Sequence, residues 1–202
     1  SLALRLLADY LARYPRSDLA PNARYLAARA ALEEKEPLQA LSWLEDLDSL
    51  MPEVEDFVLA AKATAHRHLG QWPETLSAWE LLLKKYPKSP LSVEALYGAA
   101  DAYFALDKSR EAKRAYEKAM RANSRSDRAD LARFNLAQMA ENDNELNDAA
   151  ELYRYFYYEL PSDPLSDVAK KRLDVLEKSS TVRPPSVPLR FKRLKKLITR
   201  RS

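Results

Sequence analysis

A regular spacing of chain breaks constrains this sequence more than any other feature. The breaks fall at Pro15, Pro52, Pro87, Ser124 and Pro161, and each of the four prolines follows a bulky apolar or aromatic residue. Successive breaks are 37, 35, 37 and 37 residues apart. A constant period between about 20 and 50 residues is typical of solenoid proteins, in which each repeat packs only against its neighbours.

Three further series of residues keep the same period and predict how the repeats pack. Small residues lie twelve and twenty-four positions before the breaks, and large apolar or aromatic residues lie eight positions before them. Small residues let two helices approach closely, and large residues fill the space beside them. The small residues are Ala40, Thr75, Ala112, Ala149, Ala28, Ala63, Ala100 and Ala137; the large ones are Leu7, Leu44, Trp79, Tyr116 and Tyr153.

Composition favours helix throughout the body of the chain. Two glycines in 202 residues are too few for the many turns of a β-rich or α/β fold. Apolar residues at 47% are ample for a core. The predicted fold class is therefore all-α. Apolar periodicity places helices at 2–14, 18–34, 37–50, 53–69, 73–86, 90–106, 109–122, 127–141, 146–160 and 164–178.

Together, these residues resemble the tetratricopeptide repeat over roughly residues 2–178. The resemblance rests on Ala112, Tyr116 and Ala119, on the turn at Gly70 and on the terminal prolines. It implies a right-handed superhelix, or α-solenoid, of antiparallel helix hairpins. The expected glycine stands in only one turn between the helices of a hairpin. The corresponding residues of the other turns are Lys35, Asp107 and Asn144.

The predicted domains are a helical solenoid at 1–178, a proline-rich linker at 179–188, and a segment at 189–202 that is a basic amphipathic helix or the start of a following region. The basic residues between Arg190 and Arg201 suit an anionic surface, either nucleic acid or lipid. No apolar run approaches the length of a membrane-spanning helix. Because the first helix takes the second place in a repeat, we expect this chain to be a fragment or a processed form of a longer protein.

No group of residues predicts a metal or cofactor site. His66 and His68 are two apart on a helix and point to different faces, so they cannot chelate one ion together. We expect His66 to pack in the core instead. Gly70 and Gly98 stand alone, so phosphate-binding and dinucleotide-binding loops are not predicted.

Catalysis by paired carboxylates is not predicted either. An acid–base pair needs two carboxyl groups that face one cleft in different environments. The acidic residues, among them Glu55 and Asp56, lie beside turns with basic residues interleaved. We expect them to be solvated, and the chain itself to carry no catalytic site.

A partner groove is predicted on the first helix of each hairpin. Residues three before and one after the small alanine of that helix should line the concave face, with three further residues nearby. Aromatic and mixed polar side chains there suit an extended peptide or a partner helix; alternatively, the rings fill an inner wall that holds no ligand. The predicted residues are Tyr25, Arg29, Ala60, Thr64, Arg67, Tyr97, Asp101, Phe104, Phe134, Asn135 and Gln138.

The breaks themselves resemble those of bacterial envelope tetratricopeptide proteins. Tyr14 and Tyr86 each begin a Tyr-Pro-x-Ser sequence. Such sequences are similar to those in proteins of outer-membrane assembly and the Tol-Pal system, and in the N-terminal superhelix of soluble lytic transglycosylases. The resemblance implies a non-catalytic periplasmic or envelope-associated scaffold; the alternative is the front part of a larger peptidoglycan-cleaving enzyme. The carboxylate clamp of some chaperone-binding repeats is not reproduced.

Overall fold

The computed structural model describes residues 2–123, 127–178 and 181–185, and its regular structure in these ranges is helical. None of the described helices is both long and apolar enough to span a bilayer. The helices are α1 (Leu2–Arg13), α2 (Ala20–Glu33), α3 (Pro37–Trp43), α4 (Leu47–Leu50), α5 (Glu55–His68), α6 (Trp72–Lys85), α7 (Ser92–Ala105), α8 (Ser109–Ala122), α9 (Asp127–Asn142), α10 (Leu146–Glu159) and α11 (Pro164–Leu176), with a 3-10 turn at Pro52–Val54.

The chain divides into two compact units, Ser1–Ala122 and Asn123–Ser202. In unit 1, α1 packs on α2, and three hairpins follow: α2 with α3, α5 with α6, and α7 with α8. In unit 2, α9 pairs with α10, and α10 packs on α11. The predicted all-α fold of antiparallel hairpins is confirmed.

The periodic small residues lie in the cores of the two units. All eight of them, from Ala28 to Ala149, are fully buried. The large residues Leu44, Trp79, Tyr116 and Tyr153 are buried beside them. The spacing therefore predicts the core because each small residue admits a neighbouring helix and each large one fills the gap.

The turns inside the hairpins share one backbone conformation, whether or not they contain glycine. In each turn one residue has a left-handed backbone, with φ between 57° and 69°. The amide of the following residue donates to the carbonyl five residues earlier, at 2.8–3.0 Å, which satisfies the end of the preceding helix. The left-handed residues are Lys35, Gly70, Asp107 and Asn144.

The Tyr-Pro-x-Ser sequences lie in the connections that lead into α2 and α7. The hydroxyl oxygens of Ser17 and Ser89 accept hydrogen bonds from the backbone amides two residues further on, at 3.2 and 3.0 Å. The carboxylate of Asp163 accepts the equivalent bond at 2.8 Å after the last break. Each serine therefore supplies an acceptor for the amide of the residue just before the next helix, Leu19 or Leu91.

The single helix predicted at 37–50 is wrong, because the structure divides it into α3 and α4. Asp46 between them has a left-handed backbone with φ of 56°. The guanidinium of Arg24 donates to the backbone carbonyls of Trp43, at 3.2 Å, and Glu45. These bonds satisfy carbonyls that the interruption of the helix leaves without amide partners.

Part of the predicted linker packs against α10 within unit 2. The amide side chain of Asn147 accepts from the backbone of Arg183 and donates to that of Thr181, and Val182 between them is buried. The buried guanidinium of Arg154 also donates to the Arg183 carbonyl. The rest of that linker outside 181–185, the basic segment 189–202 and the predicted break at Ser124 lie outside the described residues.

Candidate functional site

A cleft of about 430 Å³ opens on the first helices of the three hairpins in unit 1. Side chains from α2, α5 and α7 form its walls, and Trp79 of α6 lies beneath them. It contains five of the predicted groove residues. Its lining comprises Tyr25, Arg29, Leu32, Glu33, Phe57, Ala60, Ala61, Thr64, Arg67, His68, Trp79, Leu91 and Glu94.

Helical periodicity brings these side chains to one surface. Along α5, Phe57, Ala60, Thr64 and Arg67 recur every three or four residues, which places them on one face of the helix. On α2, Tyr25, Arg29 and Glu33 are likewise four residues apart. Ala60 contributes only a methyl group at the middle of the wall, so the helix surface is open there.

The side chain of Trp79 lies against α7 at Gly98, the only glycine of that helix. A Cβ atom built on Gly98 would lie within 2.8 Å of three atoms of the Trp79 indole ring. Trp79 is 2% exposed, and its Nε1 has no hydrogen-bond partner. Glycine at 98 therefore lets the ring lie directly on the α7 backbone. From the sequence alone, Gly98 is an isolated glycine. The large residue at Trp79 is the one sequence signal of close packing here.

Among the described residues, the hydrogen bonds of the two cleft arginines go to the Tyr25 hydroxyl and the His68 ring. The guanidinium of Arg29 donates to the Tyr25 hydroxyl at 3.3 Å, and Arg67 Nη2 lies 3.3 Å from His68 Nε2. The pKa of His68 is lowered, first by partial burial and then by the positive charges of Arg67 and Lys35. The lowered pKa favours the neutral form of this imidazole.

Three predicted groove residues of α7 do not line this cleft. Tyr97 is 1% exposed, so its ring belongs to the interior rather than to an open surface. The carboxylate of Asp101 accepts a hydrogen bond from the Tyr116 hydroxyl at 2.7 Å. Phe104 is half-buried. The cleft instead uses Leu91 and Glu94, at the start of the helix, which sequence reasoning did not select.

The remaining predicted groove residues belong to α9 of unit 2. Phe134 is 6% exposed and makes edge-to-face contacts with Tyr153 and Phe156, with centroids 5.7 and 5.6 Å apart. Such contacts place this ring in the core of unit 2 rather than in a groove. Asn135 is half-buried and Gln138 is exposed.

Two expectations for ionisable residues are corrected by the structure. Glu55 and Asp56 are buried rather than solvated, because the end of α6 lies against the start of α5. Lys85 donates to Glu55 at 2.7 Å, Tyr86 also donates to Glu55, and Ser89 donates to Asp56. The bonds from Lys85 and then Tyr86 lower the pKa of Glu55.

His66 also differs from what was expected. His66 is half-buried rather than packed in the core, and its Nδ1 lies 2.7 Å from Gln71 Oε1. Within 2–123, 127–178 and 181–185, no three His, Asp or Glu side chains are grouped so as to hold a metal ion.

A second depression of unit 1, about 450 Å³, lies between α4, α5 and α6. Its main polar groups are already paired within the chain. Lys62 and Asp48 form an ion pair at 2.7 Å, and His66 contacts Gln71. In the first cleft, by contrast, neither Arg29 nor Arg67 forms an ion pair with a carboxylate of the described residues.

Comparison with known proteins identifies the class to which this architecture belongs. The sequence profile of the tetratricopeptide repeat matches residues 60–109 and 97–164. These ranges span more than half of the chain, so the protein belongs to the tetratricopeptide repeat family. Such repeats form protein-interaction scaffolds, and their fold is typically non-catalytic.

One solved structure shows the same fold at low sequence identity. A tetratricopeptide repeat protein from Parabacteroides merdae matches with a TM-score of 0.71 and 19% identity. The match covers 98% of this chain and 78% of that chain. The likeness therefore concerns the helical solenoid fold. No curated protein sequence matches this chain.

Proposed function

We propose that the cleft of unit 1 binds an extended segment of a partner protein. The observation that carries this proposal is the convergence of Tyr25, Arg29, Thr64 and Arg67 on one open surface with apolar walls. Concave surfaces that combine aromatic anchors with a few polar groups suit peptide recognition. Since the repeats build a scaffold, this cleft is where the scaffold offers the partner both apolar area and hydrogen-bond donors.

A peptide selection tests the proposal without requiring that the natural partner be identified. A phage library of random octapeptides is selected on the whole chain, and the selected peptides are synthesised for fluorescence anisotropy. Ala60→Trp fills the middle of the cleft, and Ala105→Trp places the same side chain at an exposed position at the end of α7. We expect Ala60→Trp to weaken binding at least tenfold and Ala105→Trp to leave it unchanged. Equal affinity for both variants would overturn the proposal.

We further propose that the scaffold works in the bacterial cell envelope. The support is the resemblance of the Tyr-Pro-x-Ser breaks at Tyr14 and Tyr86 to those of envelope proteins. Fractionation of cells that express the tagged full-length gene product tests this, and recovery in the cytoplasm would contradict it. The same gene tests the alternative, since a downstream catalytic domain would make this chain the front part of a peptidoglycan-cleaving enzyme.

A further inference from the structure

We infer that the cleft selects partner segments that carry an acidic side chain close in sequence to a bulky apolar one. This inference rests on the proposed function, because it assigns a chemistry to the partner at the same cleft. It comes from the distribution of charge and apolar surface over the cleft walls.

The acidic part of the preference follows from Arg29 and Arg67. Each is exposed and lines the cleft, and their hydrogen bonds go to the neutral Tyr25 hydroxyl and the His68 ring. A guanidinium group offers five N–H donors in a planar fork that matches a carboxylate. Both arginines therefore have donors left to engage a carboxylate of the partner.

The cleft also carries two carboxylates, which set the strength of this preference. Glu33 is exposed and lies one helical turn from Arg29 on α2. Glu94 stands on the α7 wall and already has an interaction within the chain. Glu33 and Glu94 thus both offset positive charge in the cleft, and removal of the Glu33 charge should strengthen the attraction for an acidic side chain.

The apolar part of the preference follows from the other end of the cleft. Phe57 and Leu91 line it, both half-buried, and so keep apolar surface in contact with solvent. Burying that surface under an aromatic or branched side chain of the partner is favourable. Phe57 and Arg67 stand near opposite ends of α5, so this aromatic surface is separate from the guanidinium group of Arg67.

The distance between the two ends sets the spacing within the partner. Ten residues separate Phe57 from Arg67 along α5, which corresponds to about 15 Å at a rise of about 1.5 Å per residue. An extended chain covers that distance in about four or five residues, at roughly 3.3 Å each. The acidic and apolar side chains should accordingly lie within about five positions of one another.

The test uses defined peptides and the whole chain. N-acetylated, C-amidated octapeptides from the phage selection are compared with versions in which each Asp or Glu is replaced by Asn or Gln. We expect this replacement to weaken binding about tenfold, in line with the loss of a hydrogen bond to a charged group. A version with a free C-terminal carboxylate should bind no more tightly than the amidated one.

Matched variants of the protein assign the effect to the two arginines. Arg29→Gln and Arg67→Gln should each remove most of the preference for the acidic peptide, and Arg67→Lys should restore part of it at position 67. Arg121→Gln, an exposed change of equal charge on α8, should have no effect, and Glu33→Gln should tighten binding. Circular dichroism of each variant confirms that it is folded.

The outcomes separate this inference from the proposed function. Peptides that depend on Ala60 but bind equally with and without acidic residues would overturn the inference and leave the proposed function intact. If no selected peptide is sensitive to Ala60→Trp, the proposed function fails as well. Tighter binding of the free C-terminus would replace the side-chain carboxylate with a chain-terminal one and would also overturn the inference.

Discussion

The indole ring of Trp79 lies against the backbone of Gly98, in the space where a side chain at residue 98 would begin. This contact joins the second hairpin of unit 1 to the third, directly beneath the cleft. Gly98→Ala should therefore destabilise unit 1 by about 1–3 kcal/mol through overpacking. The higher helix propensity of alanine, worth about 1 kcal/mol, opposes this only in part.

Urea unfolding followed by circular dichroism measures the change in the free energy of unfolding. Ser92→Ala, at the start of the same helix, provides the control because Ser92 is half-exposed. A Gly98→Ala variant as stable as the wild type would show that the Trp79 ring can move without cost.

The turn residues with a left-handed backbone give a prediction in which one substitution stabilises unit 1. Lys35 adopts a φ of 61°, which is strained for a residue with a Cβ atom, whereas Gly70 adopts 69° without that strain. Lys35→Gly should stabilise unit 1 by about 0.5–1 kcal/mol, and Gly70→Ala should destabilise it by about 1 kcal/mol. Thermal unfolding checks both changes.

Lys35→Ala serves as the control for the loss of the lysine side chain, and it should not stabilise the protein. If Lys35→Gly and Lys35→Ala shift the melting temperature equally, backbone strain at this turn is not the cause.

Because the carboxylate of Glu55 is buried and hydrogen-bonded, we expect the folded protein to lose stability in acid. Its pKa is lowered by the hydrogen bonds from Lys85 and Tyr86, so the folded state favours the ionised form. This contribution is complete above the ordinary pKa of about 4.5 and disappears as pH falls through the lowered pKa of the folded state. Between about pH 7 and pH 3, Glu55→Gln should therefore lose less stability than the wild type.

Glu53→Gln is the matched control, since Glu53 is exposed two residues away. Unfolding in urea at several pH values supplies the comparison. An identical pH dependence for Glu55→Gln and the wild type would contradict the assigned role of Glu55.

We expect Arg154 to hold residues 181–183 against the helices of unit 2. Its guanidinium is 2% exposed and donates to Glu177 at 2.8 Å, to Glu151 and to the Arg183 carbonyl. Arg154→Ala should destabilise unit 2 by about 2–4 kcal/mol, because it leaves acceptors without their charged donor. It should also speed amide exchange at Arg183, whose N–H is bonded to Asn147.

The ion pair of Lys170 with Asp174 offers the comparison, because both side chains are partly exposed. Lys170→Met should cost about 1 kcal/mol or less. Equal destabilisation by the two substitutions would mean that Arg154 contributes no more than a surface pair.

The sequence predicts the helices well wherever burial follows a regular period. Ala100 and Tyr116 lie in the core as their spacing requires. The break at Asp46 was not predicted, because Leu41, Leu44 and Leu47 keep a helical spacing through it. What stabilises the break is Arg24, on another helix, and such a long-range contact leaves no periodic signal.

The cleft was predicted only in part for a similar reason. Arg29 and Thr64 follow from their register on the first helices, which sets the direction of each side chain. Tyr97 has the same register as Tyr25, yet it is buried while Tyr25 stays half-exposed. Neighbouring helices decide which ring meets solvent, and their side chains are distant in sequence.

Hydrogen exchange of the whole chain, with and without a selected octapeptide, is the most direct test of whether the cleft of unit 1 binds a peptide. We expect slower amide exchange in α2 and α5 at the cleft, and no such slowing in the Ala60→Trp variant. Protection confined to α9–α11, or protection that persists in Ala60→Trp, would contradict it.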